Sequence, residues 1–234
     1  MNVRIPVQRA LLLLVLSMGL ISCQTVNKFG DYDVQYATMA FDLTTPPAPT
    51  LRINYQVMLD SHNPVGTALS IGTSLIKANE AAIAEDRMRK ALDSVDVPEI
   101  LLQEAEGTCA DALNVQADPE KRDADFLLAL DIHEYGLEAD SPWQGVRLKM
   151  RVTASLYHNA EREIVWRRAF SVRQSASPEM FGFGSIVGDI VTAAALSELS
   201  TEDLARGFKE LAVETARAIA HRMEDDFNKA HFRD

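Results

Sequence analysis

The chain has 234 residues, 47% of them hydrophobic and 24% charged, and a formal net charge of −11 at neutral pH. That length and apolar content suit one domain of moderate size with an ample core. The acidity speaks against nucleic acid and against a headgroup-binding basic surface, because both kinds of partner call for clustered positive charge.

At the start of the chain, Arg4 and Arg9 precede an apolar run over residues 10–20 that ends in Leu20-Ile21-Ser22-Cys23. A basic start, a short apolar core and small residues near a cut form the layout of an export signal, too short to span a bilayer well. The closing tetrad resembles the lipobox of bacterial lipoproteins, whose cysteine receives a diacylglyceryl group before the peptide is cut ahead of it. The resemblance implies that residues 1–22 are a signal peptide, that Cys23 is the lipid attachment site, and that further acylation of the new amine anchors the chain. One acyl chain holds a protein only reversibly, whereas two or more hold it stably. The mature chain is then tethered and not spanning, and loss of Arg4 and Arg9 deepens its negative charge by two. Gln24, where Asp is the usual inner-membrane retention signal of such lipoproteins, implies the periplasmic face of the outer membrane. With Cys23 acylated, Cys109 has no partner for an intrachain disulfide. Glu104, Glu106 and Asp111 surround it in sequence, so it reads as a small buried hydrophobe and not a reactive thiol.

Residues 23–50 read as a lipidated tether, with Thr45-Pro46-Pro47-Ala48-Pro49 favouring extended backbone, and residues 51–230 as a single α+β periplasmic domain. Residues 52–60 alternate weakly as a first strand, closed by Ser61-His62-Asn63-Pro64. Over residues 66–95, Ala81, Ala84, Met88, Ala91, Leu92 and Val95 recur at helical spacing, which predicts an amphipathic helix closed by Pro98. A second helix over residues 99–114 presents Ile100, Leu101, Ala105 and Leu113, and charged residues 118–125 follow it.

The clearest sheet signal spans residues 146–157, where Val146, Leu148, Met150, Val152, Ala154 and Leu156 alternate with Arg147, Lys149, Arg151, Thr153, Ser155 and Tyr157. Residues 124–135 place Phe126, Leu128, Leu130 and Ile132 on one side. Residues 164–173 place Ile164, Trp166, Arg168, Phe170 and Val172 on one side. Three consecutive strands with short joins predict an antiparallel meander. A closing helix over residues 201–227 starts at Ser200-x-x-Asp203 and carries the stripe Leu204, Phe208, Leu211, Thr215, Ile219 and Met223. The predicted fold class is α+β: an antiparallel meander sheet covered on one face by helices, the last of them long.

Ala124-Asp125-Phe126-Leu127-Leu128, the turn at Tyr135-Gly136-Leu137-Glu138, the basic strand from Arg147 and Ile164-Val165-Trp166-Arg167-Arg168 resemble a pattern of envelope lipoproteins. It is similar to the auxiliary lipoproteins of ABC-type lipid-transport systems, and to the related small domain of curli-secretion and TolB-type periplasmic proteins. The resemblance covers residues 124–223 and implies the fold more firmly than the role.

Two stretches, residues 65–76 and 181–196, are apolar, small and uncharged apart from Asp189. Their Gly66, Gly72, Gly184 and Gly188 are candidate partner contacts, since Gly184-x-x-x-Gly188 permits close helix approach, while each stretch is shorter than a bilayer span. Mutual packing inside the domain is the leading reading of the two stretches, ahead of a partner or self-association surface and of transient membrane insertion. The five histidines are scattered without zinc-ligand spacing, and neither a nucleophile elbow nor a phosphate or dinucleotide loop occurs, so no metal or cofactor is expected. Asp131, His133 and Glu134 mimic an acid/base cluster. Alternation sends Asp131 and His133 to the face opposite Leu130 and Ile132, as a solvated outer face. Arg147, Lys149 and Arg151 are expected to meet acidic side chains across the sheet, with a specific anion site as the alternative. The expected function is that of a noncatalytic outer-membrane lipoprotein serving as accessory or binding subunit of an envelope transport system. The alternative is a subunit of an outer-membrane secretion or structural assembly, self-associating as a homo-oligomer through the Gly/Ala segments; in either case the partner protein is unknown.

Overall fold

The structure is a computed structural model, and its described residues are 25–44, 50–53, 86–118, 123–139, 147–175 and 200–232. In chain order the elements are β1 (Val26–Asn27), a 3-10 turn (Phe29–Asp31), β2 (Thr38–Thr44), β3 (Thr50–Ile53), α1 (residues 86–94), α2 (Val97–Leu113), β4 (Gln116–Ala117), β5 (Phe126–Ala139), β6 (Arg147–His158), β7 (Glu163–Ser175) and α3 (Thr201–His231). The strands form one open sheet in the order β1-β7-β6-β5-β2-β4, with β3 also on β5. This is an α+β fold.

The long strands β5, β6 and β7 form the expected antiparallel meander. The sheet is nevertheless mixed, because β2 and β3 run parallel to β5, with Thr44 opposite Asp131 and Thr50 opposite Gly136. The reason lies in the connection: the chain leaves β3 at one end of the sheet and returns through helices to enter β5 at the opposite end, as parallel pairing requires. A reciprocal clamp fixes the start of the β2–β5 pair. Asp125 Oδ2 accepts from the Thr38 amide at 2.9 Å and the Thr38 hydroxyl at 2.8 Å, and the Asp125 amide donates to Thr38 Oγ1 at 2.9 Å. These bonds from Thr38 hold the Asp125 carboxyl below the usual carboxylate range.

Leu148, Met150, Val152, Ala154 and Leu156 of β6 are buried on the face shared with Phe126, Leu128, Leu130 and Ile132 of β5. On that face α2 lies against β2, α3 lies against β6 and β7, and the two helices pack on each other. Their apolar stripes supply the other half of the core: Leu101, Ala105, Cys109 and Leu113 from α2, and Leu204, Phe208, Leu211, Ile219 and Met223 from α3, all buried. Thr215 joins that stripe because its hydroxyl donates to the Leu211 carbonyl at 2.7 Å, which satisfies the group within the helix. Ser200 and Asp203 form the capping box read from the sequence. None of the helices among the described residues is long and apolar enough to cross a membrane.

Three boundaries differ from expectation. Residues 26–44, assigned to the tether, carry β1, the 3-10 turn and β2. Pro98 does not close α1; Asp96 accepts from the Glu99 amide at 3.0 Å as the cap of α2, and Pro98 sits in the first turn, where a missing N–H costs nothing. β5 runs on to Ala139 through Gly136, where the sequence pattern indicates a turn, because β3 and β6 pair with it on both sides there.

Cys109 is fully buried, and burial pushes its thiol up to about 12 despite an opposing hydrogen bond from Thr108. In the folded protein Cys109 is expected to react with a thiol reagent at least about a thousandfold more slowly than in the denatured chain, since the thiolate is the nucleophile. Peptide mass spectrometry of alkylated samples checks this, and labelling of the native protein at the denatured rate would contradict the buried placement.

Candidate functional site

The sheet face opposite the helices carries the polar residues, and a β-bulge organises it. The register of β5 against β6 shifts between Ile132 and Glu134, leaving His133 as the extra residue. Uninterrupted alternation sends Glu134 into the core beside Ile132; the bulge returns it to the polar face, opposite Arg151. There Glu134 Oε2 lies 3.1 Å from Arg151 Nε and 3.5 Å from Lys149 Nζ. Lys149 Nζ also lies 3.5 Å from Glu138 Oε1, and Arg173 Nε is 3.5 Å from Glu138 Oε2. Acids on β5 thus meet bases on β6 and β7. Glu134 and Lys149 are 4% and 6% exposed, low enough that each charge depends on its partner. Nearby, His133 Nε2 shares a hydrogen bond with Thr153 Oγ1 at 2.7 Å, and its Nδ1 is 3.8 Å from Asp131 Oδ2. The acid/base look-alike is therefore divided: Asp131 and His133 are exposed, and Glu134 belongs to the ion-pair network. Lys149 and Arg151 meet carboxylates across the sheet, as the sequence suggested.

A second cluster joins the N-terminal arm to the rest of the domain. Val26 pairs with Arg167 and Asn27 with Trp166 at the edge of β7. Asn27 Nδ2 donates to the Asp226 carbonyl at 3.1 Å, and the Phe29 amide donates to Asn27 Oδ1 at 3.2 Å. Phe29 is fully buried, with its ring centroid 6.3 Å from Trp166 and 5.6 Å, edge-on, from Phe227. Asp226, only 2% exposed, is the hub: its Oδ2 accepts from Trp166 Nε1 at 3.0 Å and Arg168 Nε at 2.7 Å, with Arg222 Nε at 3.3 Å. Burial by itself raises the Asp226 pKa, and the bonds from Arg168 and Trp166 with the charges of Arg168 and Arg222 more than reverse it, so the group ends below the usual range.

The arm is also fastened at the β6–β7 turn. Lys28 pairs with Glu163, and the Tyr32 hydroxyl donates to Glu161 at 2.8 Å and Glu163 at 3.0 Å. Those two carboxylates, Glu161 foremost, raise the Tyr32 phenol, and Lys28 with Tyr32 lowers Glu163. His158 sits between the Tyr32 and Phe126 rings at 5.1 and 5.2 Å.

Cys23, Gly66, Gly72, Gly184 and Gly188 lie outside the described residues. Sequence reading missed the Asp226 hub, although a signal existed: one step beyond Met223, the α3 stripe continues with Asp226 next to Phe227, and a carboxylate on an apolar stripe demands a buried partner.

The architecture is thus an α+β domain whose N-terminal arm is part of its sheet. Neither a family profile nor a curated protein matches the chain. Solved structures do. A Xanthomonas campestris protein of the DUF330 family is similar at a TM-score of 0.37 and 15% identity over 56% of this chain, which spans 63% of that protein's length. A lipoprotein candidate from Caulobacter crescentus is similar at 0.34 and 20% identity, over 56% of this chain and 82% of its own. A variant PelC dodecamer from Paraburkholderia phytofirmans is similar at 0.31 and 10% identity, over 79% and 93%.

Proposed function

We propose that this chain is a noncatalytic lipoprotein, held by acylated Cys23 on the periplasmic face of the outer membrane, that serves as an accessory or binding subunit of an envelope transport system. The observation that carries the reading is the lipobox tetrad standing three residues ahead of β1. Sheet pairing at Val26 and burial of Phe29 leave almost no slack between anchor and fold, so the domain works at the bilayer surface and not at the end of a long leash. Glu134, Glu138, Lys149, Arg151 and Arg173 of the polar sheet face are spent on one another, which fits a binding or structural duty better than acid/base chemistry.

The test joins two measurements. Protein purified from membranes is expected to begin at Cys23 with the mass of added acyl chains, and Cys23→Ala is expected to take up no labelled fatty acid. In-cell crosslinking of the acylated protein should then recover transporter or lipid-carrier subunits. A free Cys23 thiol or an uncut N-terminus overturns the anchor; recovery of a secretion channel or surface-assembly component overturns the transport assignment.

A further inference from the structure

On the polar sheet face, next to the N-terminal arm, Arg167 is placed unlike the other basic residues. Its Nε donates to Ser155 Oγ at 3.0 Å and its Nη2 donates to the Tyr157 hydroxyl at 3.3 Å. Lys149, Arg151 and Arg173 of the same face all meet carboxylates, whereas among the described residues Arg167 meets hydroxyls alone. The consequence is chemical. A guanidinium has five N–H donors and no acceptor, and each hydroxyl has one hydrogen to give. Because both hydroxyl oxygens already accept from Arg167, their own hydrogens point elsewhere, and the remaining guanidinium N–H groups are also unspent. Among the described residues, no acceptor meets these remaining donors. Ser155 is 5% exposed and Arg167 is half-buried, so the group is held in place by the sheet. Planar guanidinium edges and hydroxyl donors suit the tetrahedral oxygens of a phosphate group.

Location supplies the source of that phosphate. Val26 stands directly across from Arg167, and Cys23 is three residues earlier, which an extended chain spans in at most about 11 Å. The surrounding side chains are small or apolar and partly exposed: Val26, Leu127, Ala129, Ile164 and Ala169. The carboxylates that strand register puts on this face, Asp131 opposite Thr153 and Asp42 opposite Ala129, lie two and three strands from Arg167, and Glu163 on β7 is paired with Lys28. We infer that Arg167, Ser155 and Tyr157 form a phosphate-recognition site that engages phospholipid headgroups of the bilayer in which Cys23 is anchored, orienting the domain against the membrane. The inference rests on acylation of Cys23.

The test reads Arg167 directly. Acylated protein is treated with phenylglyoxal in three settings: vesicles of phosphatidylethanolamine with a minority of phosphatidylglycerol, non-ionic detergent micelles, and the same micelles with inorganic phosphate. Modification of Arg167 is followed by peptide mass spectrometry and referred to Arg206, on α3 away from this face. Expected is slowing by about fivefold or more in vesicles relative to micelles, with part of that protection lost in Tyr157→Phe, which keeps the ring and removes one donor. Equal protection by inorganic phosphate in micelles supports the phosphate chemistry and overturns the headgroup as its source. Equal modification of Arg167 in all three settings overturns the site. The same spectra report the mass of the Cys23 peptide, so a missing acyl group is told apart from a failed phosphate contact.

Discussion

Asp226→Ala is expected to cost about 3–5 kcal/mol of stability, because it strips a buried charge pair of one partner and leaves the other uncompensated. The Arg168 side chain, 17% exposed, keeps a guanidinium that has lost its closest carboxylate, and the fully buried Trp166 indole keeps an N–H without an acceptor. Each orphaned group carries its own desolvation penalty. For a domain of this size the loss corresponds to a fall in melting temperature of roughly 6–20 °C. Thermal unfolding followed by circular dichroism measures it, and a fall of only a degree or two would show that the hub is not what joins α3 to β7. Adding Arg168→Leu to Asp226→Ala should recover part of the loss, since an apolar pair in place of the ion pair removes the orphaned charge.

The same carboxylate sets an acid limit. Its pKa is lower folded than unfolded, so its contribution is present in full above the unfolded value of about 3.9 and disappears as pH falls through the folded value. Asp125 and Glu163 are shifted in the same direction and act with the same sign. Stability should therefore hold through neutral pH and drop below about pH 4. Asp226→Asn, less stable at neutral pH, should show a shallower drop than the parent.

Phe29→Ala is expected to cost about 3–5 kcal/mol, the range for emptying a large aromatic site in a packed core. The ring is fully buried between Trp166 and Phe227, and the chain is held before it by Lys28 with Glu163 and after it by Tyr32 with Glu161. The cavity cannot close by sliding the arm, because β1 is fixed to β7 and the Lys28 amide donates to the Val165 carbonyl at 2.8 Å. Chemical denaturation compared with the parent gives the cost. Hydrogen exchange should also show Asn27 and Lys28 losing protection before β5 and β6 do. If residues 26–31 were merely a tether, truncating Phe29 would leave the denaturation midpoint unchanged.

That last contrast shows where sequence reading stopped. Residues 26–31 are a short polar and apolar mixture without periodicity, and a two-residue strand has no pattern of its own; only the β7 edge, formed by residues far along the chain, makes Val26 and Asn27 a strand. Glu134 is a parallel case. Local alternation assigns it to the core, and the bulge that turns it outward exists because β6 offers Arg151 and Lys149 to receive it. The parallel pairing of β2 and β3 with β5 follows from the helical crossover, a relation between elements that no single window contains.

What the sequence determined by itself was every element with a long repeat: the meander of β5, β6 and β7 from period-two alternation, the stripe and capping box of α3, and the core role of Cys109. Those signals are local, since hydrophobic burial at period 2 or 3.6 is already specified by neighbouring residues. Only the tertiary structure decided which charges meet. Asp226 with Arg168, Glu134 with Lys149, and Arg167 with two hydroxyls in place of a carboxylate are set by strand register and by the docking of α3, because a side chain's electrostatic partner depends on distance in space and not on separation along the chain.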